Sequence, residues 1–381
     1  MAHVAGVALT GHAVTAQVHD LRSGRLRASH VVPIAAGPEL AAGELDPASC
    51  LAATLEAIEA VVTGDVAALA ISSPLHGLVT VDATGGPLRP ALTAVDDRSG
   101  PDAGWCRKKF APEWWAEQVG VVPSSIHTVT KLSWLHRSEA DNWERTAGFV
   151  TMHDYLAGVL VGSSVRQCTD PASASGSGYW SSVRGAYHDE VLSLIDASRD
   201  WSGAVPAVVP TGSALGKRGA TAVAVGTSHV AAIAAALAVE PGDVVIVLDE
   251  PVRVVALAGV SPVVLPADDD SGTWIDRLVD AVGRPMLSQV LPGRAADVVT
   301  PDRVRASLDL LERAGATTHG TLTVVSDRSD VSVVAPWLAK ALARRVLRCG
   351  AADAMAMGAA ACAAHSLDGS WPDWSVPASQ R

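Results

Sequence analysis

Three short pieces in one stretch of the chain decide the fold that we expect: TVTKLSWL at residues 128–135, FVTMHDYL at 149–156 and CTDPASAS at 168–175. The spacing of apolar residues in the first two pieces predicts helices over 131–137 and 154–161. The arrangement of strands and helices on either side of this stretch then decides the class of fold.

Strands alternate with helices on the amino-terminal side of this stretch. Apolar runs bounded by turn residues predict strands over 4–9, 13–19, 26–32, 66–71 and 78–81. Apolar residues at helical spacing predict helices over 47–62, 105–110 and 113–119, and Asp46 is the expected cap of the first one.

The same alternation continues on the carboxyl-terminal side. Strands are predicted over 221–225, 243–248, 252–257 and 321–325. Helices are predicted over 230–238, 274–282, 303–314, 334–343 and 351–364. Alternation of this kind indicates an α/β fold.

A connector rich in proline and glycine, PAVVPTGSALG at residues 206–216, is the predicted domain boundary. The chain has 381 residues, which is enough for two domains with a core each. We therefore expect one domain over 1–216, a second over 217–365 and a tail over 366–381.

Composition and charge exclude several classes of partner. The net charge of −11 disfavours nucleic-acid binding, which requires basic patches. No strongly apolar run is long enough to span a membrane, and the first residues lack the basic start of a signal peptide, so we expect a cytoplasmic protein. The five cysteines are scattered and form no CxxC, which predicts neither a disulfide framework nor a metal site.

The three pieces, in this order, resemble the first domain of the FGGY carbohydrate kinases, and most closely the xylulokinase branch. Members carry a Pro/Ser/Thr-x-x-Lys-apolar-x-Trp-apolar segment, which Thr128, Lys131 and Trp134 reproduce, although Ile126 and Ser138 depart from the usual flanks. The later matches are Asp154, Tyr155, Leu156, Gly162, Thr169, Asp170 and the residues 172–175. The resemblance implies two actin-like (ribonuclease H-like) domains with a cleft between them: a sugar-side domain and a shortened nucleotide-side domain.

The resemblance also implies a sugar site, and its motifs are partly kept. Xylulokinases have a Met-His-Gly turn after a buried strand, and here the turn contains Leu75 and His76. They also have an Arg-Pro-x-x-x-Trp-x-Asp-x-Arg stretch, in which Asp96 and Arg98 match and Ala94 replaces the Trp. An imidazole and a carboxylate can bind adjacent sugar hydroxyls, which are both donors and acceptors. The loss of the Trp removes an apolar wall.

The position of the family's catalytic residue is altered. In the family an Asp before a helix of small residues accepts the proton of the attacking hydroxyl, because an alcohol is a poor nucleophile until that proton is taken. The corresponding residue here is Ser228, which cannot be a general base at neutral pH. His229 is adjacent and is the alternative base, although a capping Ser followed by a partly buried His is the simpler interpretation.

The phosphate loops differ from the family's still further. The first loop, Asp-x-Gly-Thr-Ser in the family, contains Thr10 and Gly11 and lacks the metal-associated Asp. The second, Gly-Thr-Ser-Gly, is replaced by Asp249, Glu250, Pro251 and Val252. Proline removes a backbone donor, and the two acids place negative charge where a triphosphate binds. The adenine-side glycine run is replaced by VSDRS at residues 325–329.

Three functions stay open at this point. The first is the family's reaction, ATP-dependent phosphorylation of a pentulose or polyol with ATP and Mg²⁺ as cofactors. The second is a pseudokinase that needs neither and acts as a sugar-binding or protein-interaction module. The third is a purely structural interaction protein, as a homodimer or paired with an active kinase. Losses at several separate ATP-contact points favour weak or lost kinase activity.

Overall fold

The structure is a computed structural model, and it describes residues 2–35, 40–162, 167–249, 251–259, 261–266, 273–293, 295–328 and 331–374. The strands are β1 His3–Leu9, β2 Ala13–Asp20, β3 Leu26–Pro33, β4 Glu44–Leu45, β5 Val66–Ser73, β6 Val79–Val81, β7 Ala91–Leu92, β8 Gly148–Val150, β9 Cys168–Thr169, β10 Trp180–Ser181, β11 Ala186–Tyr187, β12 Ala207–Val208, β13 Ala214–Arg218, β14 Thr221–Ala224, β15 Thr227–Ser228, β16 Val244–Val247, β17 Val252–Leu257, β18 Ile275–Val279, β19 Pro285–Leu291, β20 Leu322–Val325 and β21 Val346–Cys349.

The helices are α1 Pro47–Val61, α2 Gly100–Lys109, α3 Pro112–Gln118, α4 Thr128–Ser138, α5 Ala140–Arg145, α6 Met152–Leu160, α7 Pro171–Ser175, α8 Asp189–Ile195, α9 Trp201–Ala204, α10 His229–Ala236, α11 Ala295–Val298, α12 Pro301–Arg313, α13 Val331–Leu342 and α14 Ala351–Asp368. Local sequence signals explain several of the helix starts. Asp46 caps α1 by accepting from the backbone N–H groups of Ala48 and Ser49, as expected. Thr151 and Asp154 form a capping box at the start of α6.

The first large sheet has the strand order β13-β14-β5-β1-β2-β3. Strand β1 runs antiparallel to β2 and parallel to β5. Both faces of β1 are buried, because helices pack on the two sides of the sheet, which explains its continuous apolar sequence. Strand β15 pairs with the end of β5 and places Ser228 opposite Ser73.

The second large sheet has the order β18-β19-β17-β16-β20-β21. Strands β16, β20 and β21 are parallel, and β17, β19 and β18 follow as antiparallel neighbours. A separate apolar core lies between this sheet and the helices α12 and α13.

The last helix, α14, returns from the second sheet to the first. It packs on β1 so closely that a Cβ at Gly6 would lie 1.7 Å from the carbonyl oxygen of Ala356. It also crosses α10, where a Cβ at Gly358 would lie 2.0 Å from the carbonyl oxygen of Ala232. The small residues predicted in this helix therefore let two backbones approach it.

One predicted element is wrong. The helix expected over 274–282 is the strand β18, which pairs with β19 along its length. A short segment with few apolar residues does not distinguish the two periods, and pairing with a neighbouring strand decides between them. Strands β19 and β21 lie in segments for which the sequence predicted no element.

The structure also bears on the expected division at residue 216. That residue lies inside β13, and the hairpin of β13 and β14 pairs with β5 of the first sheet. The chain leaves the first sheet only after α10 and enters the second at Val244. We therefore propose a boundary between α10 and β16. In the expected tail, the described residues include the end of α14, and the ring of Trp374 lies 5.9 Å from that of His19.

Candidate functional site

The pairing of β15 with β5 brings four of the predicted site residues together. Ser228 lies at the end of β15, and the turn that follows β5 contains Leu75 and His76. The N–H of Leu75 donates to Nδ1 of His229 over 2.9 Å. The predicted catalytic position and the predicted sugar turn are thus neighbours in space.

Ser228 is the N-cap of α10. Its hydroxyl accepts from the N–H of Ala231 over 3.5 Å, and the residue is 2% exposed. A buried capping hydroxyl has no negative charge with which to accept a proton from a substrate alcohol.

His229 is a poor replacement base. Its Nδ1 lone pair already accepts from Leu75, so the proton of the neutral ring lies on Nε2. Burial, with a smaller contribution from the charge of Arg253, lowers the pKa of His229 to about 3. The ring is therefore neutral at pH 7 and has no free lone pair for proton transfer.

His76 has an unusual backbone and an atom without a partner. Its φ of 69° is in the left-handed region, which residues with a Cβ rarely adopt. Its Nδ1–H donates to the carbonyl oxygen of Gly176 over 2.6 Å, and its Nε2 is buried with no hydrogen-bond partner within the described residues. Burial, with smaller contributions from Arg253 and His127, lowers the pKa of His76 well below its ordinary value, so the ring is neutral and Nε2 is an acceptor.

Asp96 and Arg98 bind each other and are part of a larger network of charges. Nε of Arg98 donates to Asp96 over 2.9 Å, and Nη2 donates to Glu44 over 2.6 Å. The guanidinium lies 4.6 Å from the ring centroid of Trp134. Lys131 is close enough to Asp96 for the carboxylate to raise its pKa, but burial has the larger effect and lowers that pKa to about 7. This network ties α4 to the predicted sugar stretch.

The first predicted phosphate loop uses its own backbone donors. The hydroxyl of Thr10 accepts from the N–H groups of His12 and Ala13 over 3.3 and 3.1 Å. Gly11 lies between them, and a Cβ there would meet no atom within 4 Å. Two amides of the turn are thus satisfied within the loop, whereas a phosphate-binding loop presents its amides to the ligand.

The second predicted loop contains a carboxyl group with a raised pKa. Burial, with a smaller contribution from the nearby carboxylate of Asp327, raises the pKa of Asp249 to about 6 against the opposite effects of Arg253, His12 and Arg328. Asp327 itself accepts from the N–H of Ala352 over 2.9 Å. Glu250, the other predicted residue of this loop, lies outside the described residues.

Three residues that the sequence analysis did not select lie beside His76: His127, Arg253 and Asp276. Nε2 of His127 and Oδ1 of Asp276 are 3.1 Å apart, and Nη1 of Arg253 is 3.9 Å from Oδ2 of Asp276. Arg253 also donates to the hydroxyl of Ser288 over 3.3 Å. Arg253 could have been selected from the sequence, since it is a charged residue inside the apolar strand β17. Asp276 could not, because its segment was predicted to be a helix.

Strand β18 closes the cleft between the domains. Besides the contact of Asp276 with His127, the N–H of Arg277 donates to the carbonyl oxygen of Gly120 over 2.7 Å, and the N–H of Val279 donates to the hydroxyl of Ser175 over 3.2 Å. A cavity of about 20 Å³ beside His76 has room for one water molecule.

The residues around the predicted nucleotide site do not fit a magnesium–triphosphate group. Two amides of the first loop are used internally, and Asp249 of the second loop lies near the carboxyl group of Asp327 from the segment 325–329. Repulsion between these carboxyl groups and phosphate charges opposes binding. We therefore derive no reaction step through ATP or Mg²⁺.

Comparison with known proteins agrees with this architecture. The sequence profile "FGGY family of carbohydrate kinases, N-terminal domain" matches residues 13–238, a range that ends just after α10. The chain is 35% identical over 262 residues to the xylulose kinase of Streptomyces rubiginosus, covering 64% of this chain and 52% of that protein. It is 34% identical over 250 residues to the xylulose kinase of Streptomyces coelicolor, covering 63% and 51%. The chain thus spans about half the length of the curated relatives it matches.

Solved structures show the same fold at low identity. The xylulose kinase from Bifidobacterium adolescentis superposes with a TM-score of 0.84 at 19% identity, covering 99% of this chain and 95% of that one. The glycerol kinase from Plasmodium falciparum with ADP gives 0.79 at 11% identity, covering 99% and 94%. The predicted two-domain α/β fold is confirmed. Of the helices that the structure describes, none combines the length and apolar content of a membrane span.

Proposed function

The chain belongs to the FGGY family of carbohydrate kinases, and from that premise we propose that it is a xylulokinase-like homologue whose kinase activity is weak or lost. The family's reaction transfers a phosphoryl group from ATP to a hydroxyl of a sugar. That transfer needs a positioned base for the hydroxyl and a loop that holds the phosphates. The proposal is that both are deficient in this chain.

The observation that carries the proposal is the environment of Ser228. The position that corresponds to the family's catalytic Asp is held by a buried hydroxyl that caps α10. The neighbouring His229 has a pKa of about 3, and its Nδ1 lone pair already accepts a hydrogen bond from the N–H of Leu75. General-base catalysis contributes typically 10²–10⁴-fold to a rate, roughly, so its loss alone reduces turnover strongly.

The nucleotide side supports the same conclusion independently. The hydroxyl of Thr10 occupies two amides of the first loop, and Asp249 adds a carboxyl group to the second. Pro251 has no N–H to offer. These changes lower the affinity for Mg-ATP, whereas the change at Ser228 lowers the rate of transfer.

Titration calorimetry with Mg-ATP and a coupled kinase assay with xylulose test the two deficiencies separately. We expect no heat of binding at millimolar Mg-ATP and no turnover above the rate without enzyme, with the Streptomyces rubiginosus xylulose kinase as the positive control. Micromolar binding of Mg-ATP together with sugar-dependent release of ADP would contradict the proposal.

A second candidate function, a sugar-binding module without chemistry, is favoured by His76. Its buried Nε2 is an acceptor without a partner among the residues described, and a sugar hydroxyl is a suitable donor for it. Thermal unfolding in the presence of pentuloses and polyols measures such binding, because a ligand of the folded state raises the midpoint. If no sugar raises the midpoint of thermal unfolding, the remaining candidate is a role in protein interaction, in a homodimer or with an active kinase. Sedimentation tests for the homodimer, and co-purification tests for the active kinase.

A further inference from the structure

A group of buried polar side chains joins the two domains, and several of its atoms have no partner. His76 and His127 come from the first domain, and Asp276 and Arg253 come from the second sheet. Nε2 of His76, Oδ2 of Asp276 and Nη2 of Arg253 are buried without hydrogen bonds in the part of the chain that the structure describes. Buried polar atoms without protein partners, close to one another, indicate a place where a water molecule or an ion binds.

We propose that His76, His127 and Asp276 bind a divalent transition-metal ion, with Zn²⁺ as the expected species. All three residues are buried, and their ligand atoms lie within 4.8 Å of one another. Nε2 of His127 and Oδ1 of Asp276, at 3.1 Å, have nearly the spacing of two ligands around one tetrahedral zinc. Two imidazoles and a carboxylate, with a fourth position for water, are a zinc ligand set; Mg²⁺ and Ca²⁺ prefer oxygen ligands.

His76 is oriented as a metal ligand before any ion binds. The carbonyl oxygen of Gly176 holds its Nδ1–H over 2.6 Å, which fixes the tautomer with the lone pair on Nε2. The left-handed backbone at His76 places this ring in the cleft at a cost in conformational energy. Strained backbone and an outer partner for the imidazole are features of binding sites.

His127 has to change its tautomer to bind the ion. Its Nδ1 now accepts from the N–H of Ser124 over 3.0 Å, so Nε2 carries the proton that faces Asp276. When the ion takes Nε2, that proton moves to Nδ1, which then donates a hydrogen bond to the hydroxyl of Ser124, 3.1 Å away. The ring stays neutral, and the N–H of Ser124 loses its acceptor, which is a cost of binding the ion.

The positive charge of Arg253 disfavours binding of a cation at this site, and its removal is therefore the most specific test of the proposal. Its guanidinium is 3.9 Å from Asp276, and its charge acts on His76 together with that of Lys131. Removing this positive charge therefore strengthens binding of a cation and leaves the three ligands in place. If the cluster had only a structural role, removing the charge of Arg253 would instead weaken the cluster, because Asp276 would lose its ion pair.

The bound ion would link the domains, since two ligands lie in one and the third in the other. This proposal goes beyond the proposed function, because zinc content is measured with neither sugar nor ATP present. The ion would use the lone pair on Nε2 of His76 that a sugar hydroxyl uses in the second candidate function, so zinc and sugar exclude each other at that atom.

The test is zinc analysis of the full chain, without a polyhistidine tag, after equilibration with Zn²⁺ and removal of unbound ion. We expect about one zinc per chain for the wild type. His76→Gln and the near-isosteric Asp276→Asn should each weaken binding by about tenfold or more. His19→Gln, at a buried histidine whose contacts are Gly24 and Gln17, is the matched control and should retain the wild-type zinc.

Arg253→Met should bind zinc about tenfold more tightly than the wild type. Thermal unfolding with and without zinc reports this change, since the ion raises the midpoint of each variant that binds it. Equal zinc content in the wild type, Asp276→Asn and His19→Gln would overturn the proposal, as would weaker binding by Arg253→Met. Co²⁺ spectra separate the site from a cysteine site, because no thiolate charge-transfer band is expected.

Discussion

Ser228 shows that more than one side chain can cap α10. Serine and aspartate are both good N-caps, because each side chain accepts from the first backbone N–H groups of a helix. The cap of α10 is therefore compatible with either residue. If Ser228 holds the position of the family's catalytic Asp, as we propose, the exchange removes a proton acceptor and keeps the cap.

We predict that Ser228→Asp alone does not restore kinase activity. The variant regains a carboxylate at the cap of α10, but Thr10 and Asp249 still leave the nucleotide loops unsuited to phosphate. The measurement is ADP release with xylulose and Mg-ATP, with Ser228→Ala as the control for the loss of the cap, which should cost about 1 kcal/mol of stability. Rapid sugar phosphorylation by Ser228→Asp would show that the assignment of the nucleotide loops is wrong.

Asp249 should make the protein less stable as the pH rises. The pKa of about 6 in the folded state exceeds the ordinary value of about 3.9, so the folded state binds the proton more tightly. The resulting stabilisation is present below about pH 4 and is lost as the pH rises through 6, by at most about 3 kcal/mol.

The neutral Asp249→Asn removes this dependence. Urea unfolding of the wild type and the variant at pH 4 to 8 should show the free energy of unfolding shifting in favour of the variant as the pH rises. Asp302→Asn, at a side chain that is 94% exposed, is the control and should show little such shift. Parallel curves for the wild type and Asp249→Asn would mean that this carboxyl group titrates normally.

Helix α14 holds the first sheet and α10 together through very short backbone distances. Gly6 of β1 and Gly358 of the helix itself are both places where a Cβ would meet backbone atoms at 2.0 Å or less. Backbone atoms cannot turn aside as a long side chain can, so the whole helix must shift. The alanine-rich sequence of α14 is thus explained by packing on two sides.

We predict that Gly6→Ala destabilises the protein by about 2–4 kcal/mol, because α14 must move away from β1. Gly11→Ala is the matched control, since its Cβ would meet nothing within 4 Å, and its effect should stay within about 0.5 kcal/mol. Chemical unfolding of the two variants measures the difference. Equal stabilities would mean that α14 packs less closely on β1 than the structure shows.

The molecule as a whole is held closed by β18. This strand belongs to the second sheet, but its backbone and Asp276 bind Gly120, Ser175 and His127 of the first domain. Any motion that separates the domains must break these contacts.

We predict that Asp276→Ala weakens the link between the domains. The change leaves Arg253 buried without its carboxylate and removes the partner of His127, which should cost about 3–5 kcal/mol. Calorimetry should show a broader or divided unfolding transition, and small-angle scattering a larger radius of gyration. Asp302→Ala, which removes only an exposed ion pair with Arg305, should leave both unchanged. A single sharp transition at the wild-type temperature in Asp276→Ala would rule out this role of β18.

The fold was largely predictable from the sequence, and the site was predictable only in part. The order of strands and helices, the family motifs around Lys131 and Asp154, and the altered residues Ser228 and Asp249 could all be recognised along the chain. The residues that contact them in the folded protein could not be recognised in this way. Arg253 was a visible anomaly in an apolar strand, and Asp276 lay in a segment whose period did not distinguish helix from strand.

Periodicity and residue chemistry are local properties, and they were sufficient for the α/β class, for the buried strands and for the helix that Ser228 caps. Tertiary structure alone decided that the hairpin after residue 213 completes the first sheet, that 275–279 is a strand, and that His76, His127, Arg253 and Asp276 meet. Those four residues are far apart in the chain and share no pattern. Their contact depends on how β18 pairs with β19 and docks on the first domain, which no single segment specifies.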